Sequence, residues 1–545
     1  MAEALEERGV AVGKSALLAH HWYEAGTRAD AQRLASHSRQ AADHASSRLA
    51  FDVAAGTLRR ALDACVEVLD PVEQIELLLA LSRTERVAGE LEAARGAARG
   101  AVERSRSVGD AERLARAALS FAGARTSLAV DAFDMPHAGE SALLLLEAYR
   151  RLPAVDGALW VRLASELAAS RLTGMSPAER RRLARQAARM AVRLGDRRGE
   201  LLALQAEIAP SLCVPDGLDK AIITAERAVE LARALHDPLA EWEVQRFLSG
   251  AAVVCGGFVA AEAHLDRMTE LLELAPNATH ELGLDVLRAG RARCAGRLGE
   301  AAEIRSRAIA RSREPARAAA AFGAHGWMVD WDAGRYGDLT VAVEAVVGQA
   351  PQALPLHGLL ALLYCETGRP EAAREQVRTL AADGFAFERD EFLLIGLTQT
   401  ALACSYLGDR DSAAALHAAL RPYAGRNAAI GEQGLTNGPV TLFLGALEVT
   451  LGRLDEAGRH LAEAARSARS WGDPCSGTLV AVHRGRLLAL QGRHEEGMAL
   501  ASAAGAQART SGSERIAVVA AGLETWWPTP DPRPPGTDGG SAATF

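Results

Sequence analysis

Glycine recurs along this chain at Gly89, Gly256, Gly296, Gly334, Gly368, Gly408, Gly452 and Gly492, each time opening a short turn-like segment that usually carries an alanine five residues on. From Gly256 onward the intervals are 40, 38, 34, 40, 44 and 40 residues. A period of this length marks a stacked-repeat architecture, in which one supersecondary unit is copied along the chain. If each glycine ends one helix and begins a tight turn, small residues are needed where the two helices cross. Seven residues before the glycines stand Ser82, Ser249, Ala289, Trp327, Ala361, Ala401, Gly445 and Gly485, small in seven cases of eight. Five after stand Ala94, Ala261, Ala301, Leu339, Ala373, Ala413, Ala457 and Gly497, and twelve after stand Ala101, Met268, Ala308, Val346, Leu380, Leu420, Ala464 and Ala504. The step from five to twelve is two turns along one helical face.

Composition agrees with helices. The chain has 545 residues, a net charge of −8, 49% hydrophobic residues and only 5% aromatic ones. Lys14 and Lys220 are its only lysines, and alanine is the dominant small residue. A β-sandwich or barrel would instead need β-branched and aromatic residues in short alternating runs. No stretch reaches the roughly 18 apolar residues that read as a membrane span, and Met1 to Val10 is acidic where a signal peptide would be basic. The expected setting is therefore cytoplasmic, with no membrane partner. The seven cysteines are scattered and never spaced C-x-x-C, which reads as reduced packing residues.

These offsets resemble those of the tetratricopeptide repeat. The resemblance implies an all-α fold, a right-handed superhelical solenoid of about 12–13 helical hairpins over residues 16–523, with sub-arrays at 16–240 and 241–523. Units without the glycine fit more loosely, as at Ala54/Leu58/Ala61, Ala184/Ala188/Ala191 and Ala221/Ala225/Ala228. Ser176-Pro177-Ala178-Glu179 reads as an N-cap serine, a proline at the first helical position and a glutamate reaching back to the cap. Residues 1–15 are a lead-in, and the proline- and glycine-rich stretch 524–545 is expected to be disordered.

Gly9-Val10-Ala11-Val12-Gly13-Lys14-Ser15 looks like a phosphate-binding loop, but Arg8 stands where that motif needs glycine and no strand precedes it. It reads as a helix-entry loop. The segment Leu18 to Gly26 (LAHHWYEAG), with LAFDVAAGTLRRAL at Leu49 to Leu62, resembles the start of the helical-repeat region in large ATP-dependent LuxR-type transcription regulators and related bacterial signalling ATPases. That resemblance implies a sensor role. The chain starts about where the ATPase module would finish and carries a Pro/Gly tail in place of a recognition helix, so neither ATP hydrolysis nor nucleic-acid binding is expected of this chain alone. His20-His21 face different directions on a helix and read as packing. Arg182, Arg185, Arg189 and Arg193 form one stripe, which reads as a solvated face.

The unit around Gly334 departs most from its siblings, with Trp327 at the crossing position inside His325-Gly326-Trp327-Met328-Val329-Asp330-Trp331. By the tetratricopeptide offsets, Met328 and Trp331, with Leu362 and Cys365 in the next unit and Val253 earlier, would face the concave surface. Val253, His325, Trp327, Met328, Trp331, Leu362 and Cys365 are thus the candidate ligand groove. A bulky core substitution at an irregular joint is the competing reading. No G-x-S-x-G, H-E-x-x-H, metal-spaced cysteine cluster or glycine fingerprint occurs, so no catalytic residue, cofactor or metal site is assigned. The expected function is a non-enzymatic regulatory scaffold that recognises a protein segment or small effector on its concave face, and self-association is compatible with it. Two alternatives stay open: a groove adapted to an apolar metabolite, as an enzyme or auxiliary subunit, and a fragment or relative of a DNA-binding ATP-dependent regulator.

Overall fold

A computed structural model describes residues 15–25, 31–65, 68–123, 135–153, 156–170, 172–211, 217–387 and 392–522. The loop-like motif from Gly9 to Lys14 and the proline-rich tail lie outside them. The described residues contain 27 α-helices, an all-α repeat architecture. All eight turn glycines are left-handed, with φ from +68° at Gly408 to +88° at Gly89, a region that a side chain would disfavour. The small crossing residues are buried: Ala361, Ala373, Ala401, Ala413 and Ala457 are fully inaccessible. At the Gly485/Gly497 crossing a Cβ on Gly485 would lie 2.6 Å from the Gly497 carbonyl oxygen, so only glycine lets the two backbones approach this closely. The expected capping box is present, with Glu179 N donating to Ser176 Oγ at 3.3 Å and Ser176 N donating to Glu179 Oε2 at 2.8 Å.

The chain divides into two compact units, Met1–Pro210 with Ile223–Asp237, and Ser211–Ile222 with Pro238–Phe545. In the first, the helices are α1 (Ser15–Ala25), α2 (Ala31–Ser47), α3 (Phe51–Cys65), α4 (Pro71–Ala88), α5 (Leu91–Val108), α6 (Ala111–Ala122), α7 (Met135–Arg151), α8 (Ala158–Ala169), α9 (Pro177–Leu194) and α10 (Arg197–Ile208). Here α2, α4, α6, α8 and α10 pack on one another in succession, more closely than the intervening helices do. In a curved stack the series that touches itself is the inner one.

After α11 (Leu218–Ala234), the second unit runs α12 (Pro238–Val254), α13 (Phe258–Leu274), α14 (Ala278–Cys294), α15 (Leu298–Arg311), α16 (Pro315–Ala321) and α17 (Gly323–Asp332). It continues with α18 (Tyr336–Gln349), α19 (Leu354–Glu366), α20 (Pro370–Ala382), α21 (Leu393–Leu407) and α22 (Arg410–Leu420). Then come β1 (Asn427–Ile430), β2 (Leu435–Pro439), α23 (Val440–Leu451), α24 (Leu454–Trp471), α25 (Pro474–Leu490), α26 (His494–Thr510) and α27 (Glu514–Ala521). Alternation continues the inner series as α12, α14, α16/α17, α19, α21, α23, α25 and α27, with contacts from α14 to α16 and α17 and in succession from α19 through α27. Within this unit its last members return to earlier ones, α25 against α14 and α27 against α17.

One element departs from the expected uninterrupted helical array. The segment between α22 and α23 forms an antiparallel β1–β2 hairpin, with Asn427 opposite Pro439, Ala428 opposite Gly438, Ala429 opposite Thr436 and Ile430 opposite Leu435. The register shift after Ala428 makes Asn437 a bulge residue. The hairpin lies within the unit, against α12, α14, α21, α23 and α25 and also the intervening α24, and every residue of both strands is buried.

Candidate binding surface on the inner helices

In the N-terminal unit the inner helices carry charges that reach across from one repeat to the next. Arg39 on α2 donates to Glu73 on α4 at 2.7 Å, and Arg83 donates back to Asp43 at 3.0 Å. Arg116 on α6 clasps Glu76 through both terminal nitrogens at 2.6 and 2.8 Å, while Arg113 adds an ion pair to the same carboxylate at 3.2 Å. These contacts hold Glu76 ionised below the usual carboxylate range, against the opposing effect of its burial. Ser82 and Ser120 share a hydrogen bond of 2.9 Å. Further along, Arg86 donates to the Gly123 carbonyl at 3.0 Å, and its affinity for its proton is lowered by burial and by the nearby positive charges of Arg162 and Arg83. Arg83, Arg86 and Arg162 are nonetheless exposed side chains.

In the C-terminal unit the same series of helices holds polypeptide. Arg293 Nη1 of α14 donates to the Thr436 carbonyl at 2.8 Å, and the Cys294 thiol approaches the Gly434 carbonyl at 3.7 Å. Asn427 Nδ2 donates to the Val253 carbonyl at 3.2 Å, and the bulged Asn437 donates to Thr398 Oγ1 of α21 at 3.2 Å. Gly290 opens the space for this contact, since a Cβ there would lie 2.5 Å from the Gln433 carbonyl oxygen and 2.7 Å from that of Gly434.

Next to the hairpin runs a buried chain of alternating charge. Arg293 Nε donates to Asp332 Oδ2 at 2.7 Å, and Asp332 Oδ1 faces Arg515 Nε at 3.7 Å. Arg515 Nη1 reaches Glu366 Oε1 at 3.4 Å, Trp331 Nε1 donates to Glu366 Oε2 at 2.7 Å, and the Arg515 guanidinium stacks 3.8 Å from the Trp331 ring centre. Burial pushes the Glu366 carboxyl upward against the pull of Arg515 and Trp331. The acids keep Arg293 and Arg515 charged: Asp332 offsets the burial of Arg293, and Glu366 and then Asp332 that of Arg515. A narrow cavity of about 20 Å³ lies among Arg293, Asp332, Asn437, Asp473 and Arg515. That is room for a water molecule and not for a metabolite.

The seven sequence-chosen groove residues are all buried or half-buried in this unit. Val253 meets the hairpin through its carbonyl, His325 faces the Gln433 backbone, and Trp331 lines the small cavity. Met328 and Leu362 lie in the hydrophobic core, Trp327 packs on that core, and the Cys365 thiol approaches the Ala403 carbonyl at 3.8 Å. Leu362 and Cys365 are not brought to the hairpin by any of these contacts. Sequence reasoning missed Arg293, Asp332, Glu366 and Arg515, whose pairing joins positions 39 to 183 residues apart. Of the arginine stripe, Arg185 pairs with Glu207 at 2.6 Å and Arg193 with Asp156 at 2.9 Å. The neighbouring Arg180 is buried, capping the end of α8 through the Ala168 and Ala169 carbonyls at 2.8 and 2.9 Å.

Together, the helical hairpins, turn glycines and inner series define a tandem helical-repeat protein. No protein-family profile matches the chain, and no curated protein matches it in sequence. Among solved structures it is similar to yeast Tom70, at 12% identity and a TM-score of 0.29, over 90% of this chain and 96% of that one. It is also similar to a circular tandem repeat protein with novel repeat topology, at 14% identity and a TM-score of 0.16, over 94% of this chain and 97% of that one. Among the described residues no helix is long and apolar enough to cross a membrane, and no group of His, Cys, Asp or Glu is arranged to hold a metal ion.

Proposed function

We propose that this chain is a non-enzymatic scaffold that recognises a protein segment on its inner helices, with the exposed charged face of the N-terminal unit as the docking surface. The observation that carries this reading is the hairpin of the C-terminal unit. There, inner helices of the same repeat type hold an extended segment through side chains that bond its main chain, as Arg293 does at Thr436. The N-terminal face offers the polar counterpart, with Arg83, Arg86 and Arg162 suited to carbonyl and carboxylate oxygens. A regulatory role inside the cell belongs to the same proposal and is supported by the resemblance of Leu18 to Gly26 and Leu49 to Leu62 to sensor regions. Of the groove residues Val253, His325, Trp327, Met328, Trp331, Leu362 and Cys365, the first two and Trp331 belong to it as the face that meets the hairpin or its cavity, and the other four as the core that backs that face.

The test is photo-crosslinking. A photoreactive residue replacing Arg162 on the inner helix α8 is compared with one replacing Leu143, which is 69% exposed on the intervening helix α7. A protein captured at position 162 and not at 143, whose purified form then binds saturably and loses at least tenfold affinity to Arg86→Glu, is the expected result. Equal capture at both positions, or no loss with Arg86→Glu, overturns the reading.

A further inference from the structure

We propose that residues 427–439 are a resident ligand, and that the inner face of the C-terminal unit is a site for an extended, glycine-containing strand–turn–strand segment that the chain fills with its own hairpin. The proposal shares with the functional reading the idea that inner helices hold polypeptide. It concerns the second unit alone and is tested without the unknown partner.

Ala428, Ile430 and Leu435 of the hairpin share the hydrophobic core, yet three features mark the segment as seated in a site. First, it is held as a ligand is held, by groove side chains on its main chain and by its own amides on groove atoms: Arg293 to Thr436 O, Asn427 to Val253 O, Asn437 to Thr398 Oγ1. The cradle is cut to backbone thickness, with Gly290 beneath Gln433 and Gly434, and Gly431 against Gly250, where a Cβ would come within 2.9 Å of the Gly250 carbonyl oxygen. The chemistry recognised is thus a turn with glycine at its corners and amide side chains in its arms.

Second, the fit is incomplete. Asn427 Oδ1, Gln433 Oε1 and Asn437 Oδ1 are all buried without a hydrogen-bond partner among the described residues. A buried amide oxygen left without a partner, as at Asn427 and Gln433, weakens the hold on the segment that carries it, while Asn437 borders the cavity that has room for a water. Third, the hairpin can leave without unwinding its neighbours. Its ends meet, since Val440 N at the start of α23 donates to the Arg426 carbonyl at 3.0 Å. Removal of the segment would uncover Arg293, His325 and Trp331, three groups that otherwise face it or its cavity.

The closeness of Arg426 and Val440 makes a direct experiment available: replace residues 427–439 of the full chain by a three-residue Gly-Ser-Gly bridge, and add a fluorescein-labelled synthetic peptide spanning residues 425–441. The expected result is saturable anisotropy with the bridged chain, at least tenfold weaker binding to the intact chain, and loss of binding to a bridged chain that also carries Gly290→Ala. A folded bridged chain that ignores the peptide, or equal binding to both chains, overturns the proposal. Hydrogen exchange on the intact chain decides the matter even where the bridged chain does not fold. Amides of 427–439 should exchange at least tenfold faster than those of α21 and α23. Exchange in step with those helices would mean that the hairpin is fixed core and no ligand.

Discussion

The two units are built from the same hairpin and use its inner face in opposite ways. In the N-terminal unit the inner charges are paired across repeats and half-exposed, as in Arg39–Glu73 with side chains 31% and 26% accessible. In the C-terminal unit they are sealed, with Arg515 and Glu366 side chains 4% and 0% accessible, and the face is covered by the chain's own hairpin. The difference shows that repeat architecture settles where a surface is but not what it does. The chemistry is set by whether water reaches the charges, because the same ion pair is worth little at the surface and is a strong mutual dependence when buried.

The largest expected effect follows from that dependence. Arg515→Met leaves Glu366 and Asp332 buried near each other without their shared cation, and should destabilise the C-terminal unit by about 3–5 kcal/mol. Hydrogen exchange of α17 and α19 would then accelerate while α4 and α6 keep their protection. Uniform acceleration through both units would break the contrast. Acid should separate the units next. Burial, reinforced by nearby arginines, pushes His325 and His483 down to about 3 in the C-terminal unit. Below the ordinary histidine value of about 6.5 the unfolded chain binds protons that the folded chain refuses, so stability is lost as pH falls from there. The loss reaches about 1.4 kcal/mol per histidine by pH 5.5, and the raised carboxyls of Glu366 and Asp473 offset part of it as pH falls through their own raised values toward the ordinary carboxylate range. In the N-terminal unit Glu140 and Glu147 are depressed by hydrogen bonds from Arg99 and Arg106, so their contribution persists until pH drops below about 4.5. Exchange of α23 measured between pH 7.5 and 5.5 should show the slope, and a His325→Asn/His483→Asn chain should flatten it.

The features that repeat were legible in the sequence, and those that occur once were not. Turn glycines and small crossing residues recur at fixed offsets, so Gly89 through Gly492 and the alanines around them declare the hairpins. Strands of four and five residues have no such support. Their one trace is the interval of 44 residues between Gly408 and Gly452, the longest of the series, together with the turn-rich GEQGLTNGP. Trp331 stood out because tryptophan is scarce here, but its partners did not. Glu366 reads as one more helix-surface acid until Arg515, 149 residues away, is brought to it.

Backbone closeness gives a smaller and cleaner contrast. Gly290→Ala places a methyl against the hairpin's carbonyls and should cost about 1–3 kcal/mol in the C-terminal unit. Gly96 lies within α5 of the N-terminal unit with nothing within 4 Å of its missing Cβ, so Gly96→Ala should stabilise by about 0.5–1 kcal/mol through helix propensity alone. Urea unfolding followed at 222 nm reads both. A cost at Gly96 would mean that the outer helix is packed against something, and a gain at Gly290 would mean that the hairpin yields to the methyl.

The smallest effect tests the premise of the comparison. Arg106 and Glu147 join α5 to α7 at 2.5 Å, with side chains 42% and 23% accessible. The geometry is as close as any in the buried chain, yet both groups remain in reach of solvent. Arg106→Met should therefore cost less than about 1 kcal/mol, and less still at high salt, where screening already weakens the pair. A loss comparable to that of Arg515→Met would show that distance, and not exclusion of water, governs these pairs, and the inner faces of the two units would then differ less in energy than in appearance.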